Sequence, residues 1–156
     1  MRSSHFPLLA LLLRCMTSPG AVPLQAEPVP QGCTLNIHVD DLRTSRGVVG
    51  VLLFRSSDGW PENVTKSARH DASPIAAGAR GATVVFRGIT PGDYGVVALH
   101  DENANMKLDK NIFGIPKEGF GFANNPRVSF APPPFRSAVL HVQCPVTEVG
   151  IHIRYK

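Results

Sequence analysis

From Cys33 onward the chain alternates apolar and polar residues in short runs, the period of a half-buried β-strand. In CTLNIHVD (33–40) the residues Cys33, Leu35, Ile37 and Val39 fall on one face and Thr34, Asn36 and His38 on the other. GVVGVLLF (47–54) is a more continuous apolar run, as expected of a central strand, and 41–46 before it is polar and turn-like. GATVVF (81–86) and YGVVALHD (94–101) read as two strands. The Pro91-Gly92 pair between them suits a type II turn, so they are expected to form a β-hairpin. SAVLHVQC (137–144) and EVGIHIRY (148–155) close the chain as two further strands around a tight turn at 145–147. Residues 57–74 carry no strand period. They read either as a short helix begun at Asp58 with Pro61 in its first turn, or as an irregular loop with Trp60 packed on the sandwich edge. The expectation is an all-β domain, a single antiparallel β-sandwich of about seven strands with one long ordered loop.

That loop is HDENANMKLDKNIFGIPKEGFGFANNP, residues 100–126. A connection of this length is uncommon in a small domain and is either functional or disordered. Five of the eight Phe residues lie between Phe113 and Phe135, and apolar surface of that kind packs rather than dangles, so the loop is expected to be ordered against the sandwich. Oxygen-bearing residues recur at alternate positions: Asp101, Asn103, Asn105 and Asp109, with Lys107 offering its backbone carbonyl. These match places 1, 3, 5, 7 and 9 of a calcium loop, and Ca2+ is the expected cofactor if the loop binds a metal. Place six is Met106 instead of Gly, and place twelve is Ile112 instead of Glu. The competing reading is a set of Asx turns in which the same side chains cap their own backbone. His100 beside Asp101 raises a transition-metal or acid–base alternative. Glu118, among Gly119, Gly121 and two Phe residues, is the best candidate for a functional carboxylate; its structural alternative is to accept backbone N–H bonds and brace the loop. His38, His141 and His152 each take an outward strand position, and the pattern does not say whether they meet.

The composition narrows the partners. The formal net charge is +4, but the basic residues are scattered singly, and no Lys/Arg run interleaved with aromatics appears, so no nucleic-acid partner is expected. No Ser nucleophile elbow, phosphate loop or zinc signature is present, and no residue is assigned as catalytic. MRSSH followed by FPLLALLL and ending at LQA (24–26) reads as a signal peptide over 1–26, too short in its apolar part to span a membrane, then a linker over 27–32 and the domain over 33–156. The protein is therefore expected to be periplasmic or secreted, with no transmembrane segment after signal cleavage. Removal of 1–26 takes Cys15 and leaves Cys33 and Cys144, an even count that invites a disulfide in an oxidising compartment. Their phase agrees, because Ala138, Leu140, Val142 and Cys144 alternate onto one face as Cys33 does with its neighbours; two separate buried thiols are the alternative.

The order HDENANMKLDKNIFGIPKEGFGFANNP, preceded by FRGITPGDYGVVAL and followed by APPPF and a strand pair, resembles the bacterial exported family known as domain of unknown function 2141. The likeness runs over about 35–155. The matching positions are His100, Asp101, Asn103, Asn105, Asp109, Asn111, Gly114, Pro116, Glu118, Gly119, Gly121, Asn124 and Asn125, while the family usually has Gly at the place of Met106. The resemblance implies a prealbumin-like or carboxypeptidase-regulatory-like sandwich and brings no activity with it. The expected function is a non-enzymatic binding or accessory module whose loop meets an envelope or extracellular ligand. The alternative is a small metal-assisted hydrolase-like enzyme using His100, Asp101 and Glu118.

Overall fold

Eight strands follow one another along the chain: β1 (Cys33–Asp40), β2 (Val48–Phe54), β3 (Arg69–Pro74), β4 (Ala82–Ile89), β5 (Gly92–Asp101), β6 (Gly119–Phe122), β7 (Val139–Val142) and β8 (Val146–His152). This is a computed structural model, and it describes residues 32–129 and 131–156. The expected signal peptide, Cys15 and all of the linker except Gly32 lie outside the described residues. The only helical pieces among the described residues are two 3-10 turns, Val64–Lys66 and Phe135–Ala138.

The strands form two sheets. One has three strands in the order β4-β1-β8; the other runs β3-β2-β5-β6, with β7 also paired to β5. The period-two pattern does what it predicts: Leu35, Ile37 and Val39 of β1 and Phe86 of β4 are buried against Val49, Val51 and Leu53 of β2 and Val96 and Ala98 of β5. The core therefore lies between the sheets, in a sandwich-like arrangement.

Several expectations need correction. The residues taken for a β-hairpin do not pair with each other. β4 pairs with β1 and β5 pairs with β2, so the Thr90-Pro91 connection carries the chain from one sheet to the other. A tyrosine corner marks the crossing, with the Tyr94 hydroxyl donating to the Thr90 carbonyl at 2.9 Å. The sandwich is not purely antiparallel either, because β1 and β8 run parallel, Thr34 opposite Val146 through Asp40 opposite His152. Period-two alternation is identical in parallel and antiparallel strands, so it carries no information on direction. Strand β3 occupies part of the 57–74 stretch. Its residues RHDASP are polar and largely exposed, and it is held at the sheet edge by backbone pairing to β2 instead of by an apolar face. Trp60 lies before it in a turn, as the loop reading expected. Strand β6 falls inside the 100–126 loop, where its Gly-Phe-Gly-Phe sequence is fully buried.

The glycines of β6 have a steric reason. A Cβ on Gly119 would stand 2.4 Å from Ile153 Cγ2, and one on Gly121 would stand 2.7 Å from the His152 carbonyl oxygen. The small residues let β6 come close enough for Phe120 and Arg154 to exchange backbone hydrogen bonds of 3.0 and 2.9 Å. At the other end, Cys33 and Cys144 form a disulfide with their Cα atoms 4.5 Å apart. The pairing is as expected, but the route differs. Cys33 is fully buried in β1, whereas Cys144 is exposed and lies beyond the end of β7. The bridge staples the three-stranded sheet to the segment leaving the five-stranded one.

Candidate functional site

The site is built on the outer face of the five-stranded sheet. Along β5, Tyr94, Val96, Ala98 and His100 point into the sandwich, so Val97, Leu99 and Asp101 point the other way. A strand apolar on both faces needs cover on both. The outer cover is a second apolar cluster in which Phe54, Val97, Phe120, Phe122 and Ala138 are buried, with Trp60 and Phe135 packed against it. Trp60 stacks edge-on to Phe54 and Phe135 with ring centroids 5.5 and 5.6 Å away, and its indole N–H donates to the Pro133 carbonyl at 2.9 Å.

The alternation separates His100 from Asp101. His100 is completely buried on the inner side. Its Nε2 lies 3.0 Å from the Arg46 carbonyl, which can only accept, so Nε2 carries the proton. Nδ1 then accepts from the Tyr155 hydroxyl at 2.6 Å, and that oxygen in turn accepts from the Arg43 backbone N–H at 3.0 Å. Both ring nitrogens are engaged in holding Tyr155 and the 42–47 segment against β5. The Arg43 guanidinium stacks 4.6 Å from the Tyr155 ring centroid, donates to the Lys117 carbonyl at 3.1 Å and pairs with Glu102. The Arg43 hydrogen bond, helped by the Thr44 hydroxyl at 2.8 Å, holds the Glu102 carboxyl down to about 2.

Asp101, on the outer side, is also buried. Its carboxylate accepts from the backbone N–H of Asn105 at 3.1 Å and of Met106 at 2.6 Å. Asn103 accepts from Asn105 N–H at 3.1 Å, and Asn105 accepts from Lys107 N–H at 2.8 Å. The side-chain amides of Asn103 and Asn105 both donate to Asp109, at 2.7 and 3.1 Å. The alternate oxygens are thus brought together in one turn and capped by their own backbone. Met106 sits at φ +62°, the left-handed conformation that favours Gly, as does Ala104 at +57°. Among the described residues no group of three or more His, Cys, Asp or Glu side chains gathers as a metal centre would.

Glu118 is buried beneath this turn and clamps both its ends. One oxygen accepts from Glu102 N–H at 3.1 Å and the other from Asp109 N–H at 3.0 Å. Burial pushes its carboxyl pKa above the ordinary value, the bond from Asp109 pulls it back, and the nearby Asp101 charge raises it further. Asn111 braces the next turn, accepting from Phe113 N–H at 2.9 Å and Ile115 N–H at 3.0 Å, with Gly114 at φ +76° and Pro116 bridged to Lys110. Asn124 and Asn125 tie the loop's exit down: Asn124 donates to the Val139 carbonyl at 2.8 Å, and Asn125 donates to the Gly150 carbonyl at 3.1 Å while accepting from His152 N–H at 2.9 Å. His38, His141 and His152 do not meet. They pair separately with Glu148, Asp93 and Asp41, and His141 belongs to the other sheet.

Between loop and sheet lies a cavity of about 350 Å3. Leu52, Leu99 and Phe120 floor it, and Met106 and Leu108 reach in from the loop. Lys107 and Lys110, both exposed, border it, with Lys110 paired to Glu62 at 2.7 Å. His100, Asp101 and Glu118 do not line it. The oxygen pattern drew sequence reading to the polar side of the loop and away from this apolar side. The signal that would have found it is the double-faced apolar run of β5, together with Trp60 and the clustered Phe residues.

A family model described as uncharacterized protein conserved in bacteria (DUF2141) matches residues 37–149, from the middle of β1 to the middle of β8. No curated protein and no solved structure matches the chain.

Proposed function

The chain belongs to the DUF2141 family of uncharacterized proteins conserved in bacteria, and from that premise we propose that it is an exported, non-enzymatic binding module. Its ligand is a small amphipathic molecule held between the 100–126 loop and the outer face of the five-stranded sheet. The observation that carries this reading is the cavity. Its volume of about 350 Å3 falls within the range of small-molecule sites, and its lining is apolar with a few charged groups at the edge. Lys107 and Lys110 suit a ligand whose polar end is anionic, which would displace Glu62 from Lys110. The Cys33–Cys144 disulfide and the apolar run near residue 10 favour an oxidising compartment, periplasmic or extracellular. The prealbumin-like relationship belongs to the same proposal, and two sheets around one core are compatible with it.

The competing hydrolase reading requires His100, Asp101 and Glu118 to open into one concavity. His100 points to the opposite side of β5 from Asp101, and all three spend their polar atoms on the protein itself. The test of the binding reading is titration with a fluorescent fatty-acid analogue, in the native protein and in Leu99→Trp, which fills the cavity floor. Saturable binding that Leu99→Trp abolishes while the melting curve is retained is the expected result. Absence of saturable binding, or equal binding by the variant, would remove the proposal.

A second ligand is proposed for the polar side of the loop: Ca2+, held by Asp101, Asn103, Asn105, the Lys107 carbonyl and Asp109. The left-handed Met106, at the place where a calcium loop turns on Gly, favours it. The amides of Asn103 and Asn105 would have to turn their oxygens toward the ion and release Asp109. Thermal unfolding after EDTA and after Ca2+ is added back decides the matter. Ca2+ at a hundred times its dissociation constant adds about 2.7 kcal/mol, and an unchanged curve ends the proposal.

A further inference from the structure

Exposed apolar side chains concentrate on the long loop. Of the six large hydrophobic residues exposed among those described, Met106, Ile112, Phe113 and Ile115 lie on the long loop; Ile112 is 93% exposed and Phe113 79%. Ile112, Phe113 and Ile115 are presented by a built turn. Asn111 N–H donates to the Ile115 carbonyl at 2.9 Å, Gly114 N–H donates to the Asn111 carbonyl at 2.9 Å, and the Asn111 side chain accepts twice more from within the turn. Isolated exposed apolar residues need no explanation, but a braced projection that leads with Ile and Phe does.

The surroundings of this knuckle are cationic. Lys107, Lys110 and Lys117 flank it, and all three are exposed. Between Lys110 and Lys117 there is no acidic residue. Neither Lys107 nor Lys117 has a carboxylate partner among the described residues, whereas Lys110 is paired with Glu62 at 2.7 Å. Glu118, next along the chain, is buried.

We propose that the Ile112–Phe113 knuckle inserts into the interfacial region of an anionic lipid surface, with Lys107, Lys110 and Lys117 meeting the lipid headgroups. Apolar side chains that enter the headgroup boundary, ringed by lysines that stay with the phosphates, are the two contributions that together hold a protein on such a surface. A second copy of the chain is the weaker occupant. Three side chains supply at most about 500 Å2, against the roughly 800 Å2 per partner of a stable interface. Self-pairing would also bring lysines against lysines. The inference stands apart from the cavity reading, since the knuckle projects into solvent and Ile112 and Phe113 are not needed to enclose the ligand beneath the loop.

The test is flotation of the full protein with vesicles of phosphatidylcholine alone and of equal parts phosphatidylcholine and phosphatidylglycerol. Binding is expected to the anionic vesicles, to weaken steeply with salt, and to be lost in Ile112→Ser/Phe113→Ser. Changing Lys107 or Lys117 to Gln should weaken it about fivefold each, and Lys110→Gln less, because Lys110 must first leave Glu62. Both apolar positions are exposed, so the double variant should keep its melting curve, which is the control for folding. Equal binding by the double variant, equal binding to uncharged vesicles, or no vesicle binding by the native protein would each overturn the proposal. So would sedimentation showing a dimer that the double variant dissolves, because the knuckle would then be a self-association surface. Fatty-acid titration of the double variant keeps the two readings distinct: cavity binding should survive where vesicle binding is lost.

Discussion

Breaking the Cys33–Cys144 bridge is the most quantitative perturbation available in this fold. The two cysteines are 111 residues apart in sequence, so the bridge closes nearly the whole domain into one loop. In the chain-entropy model a loop of that length removes about 16 cal/mol/K from the unfolded chain, or about 4.8 kcal/mol near room temperature. A domain of this size is stable by only about 5–15 kcal/mol, so the bridge accounts for a third or more of the total. Burial separates the two ends. Cys144 is exposed, so Cys144→Ser places a hydroxyl in water and loses the bridge alone. Cys33 is fully buried beside Leu35, so Cys33→Ser loses the bridge and also strands a hydroxyl in the core, at a further cost of about 1–3 kcal/mol. The assay is urea unfolding followed by the fluorescence of Trp60, which packs against Phe54 and Phe135 and leaves that environment when the domain opens. Reduced native protein and Cys144→Ser should coincide, about 4–5 kcal/mol below the oxidised protein, and their m-value should rise because an unbridged chain exposes more surface. If Cys144→Ser unfolds within about 1 kcal/mol of the oxidised protein, the long-loop reasoning fails. If Cys33→Ser and Cys144→Ser prove equally stable, the difference in burial is not what sets their cost.

Three further outcomes follow from the loop and its supports. Gly121→Ala places a Cβ 2.6 Å from Ile151 Cγ2 and 2.7 Å from a backbone oxygen that cannot give way easily, and should cost about 1–3 kcal/mol in urea unfolding. Gly50→Ala, which meets nothing within 4 Å, is the control and should stay within about 0.5 kcal/mol. Met106→Gly should raise stability by about 0.5–1 kcal/mol, because the left-handed backbone at φ +62° no longer carries a Cβ; a lower melting temperature would show that the Met side chain matters more to the loop than its backbone does. The Glu102 carboxyl, held down to about 2 chiefly by Arg43, contributes stability that is present above the ordinary carboxylate range near 4.5 and lost as pH falls toward 2. Arg43 is 45% exposed on its side chain, so screening reduces the contribution to about 1–2 kcal/mol, and Arg43→Met should flatten stability across that acid window. An unchanged acid limb in the variant would assign the acid sensitivity to other groups.

Much of the sandwich was legible because a strand with one buried face writes its burial into every second residue. β1, β2, β4, β5 and β8 were found that way. β3 was missed because an edge strand held by backbone bonds needs no apolar face, and RHDASP has none. β6 was missed because its glycines meet the end of β8 and the segment just after it, neighbours that sequence does not announce. In the candidate site, the capping roles of Asp101, Asn103 and Asn105 follow from local spacing, since each bonds within five residues of itself. The bracing by Glu118 spans sixteen residues to Glu102, and the grip of Tyr155 on His100 spans fifty-five.

The amino-acid sequence alone indicated the all-β class and the singular character of the 100–126 loop, and it invited a Cys33–Cys144 bridge while leaving two separate thiols open. Each rests on local periodicity, residue parity or composition. Tertiary structure decided which strands pair and in which direction, that His100 is buried and held by Tyr155, and that an apolar cavity lies between the loop and the sheet. The physical reason is that backbone pairing and burial are properties of two surfaces meeting, while a sequence describes each surface on its own.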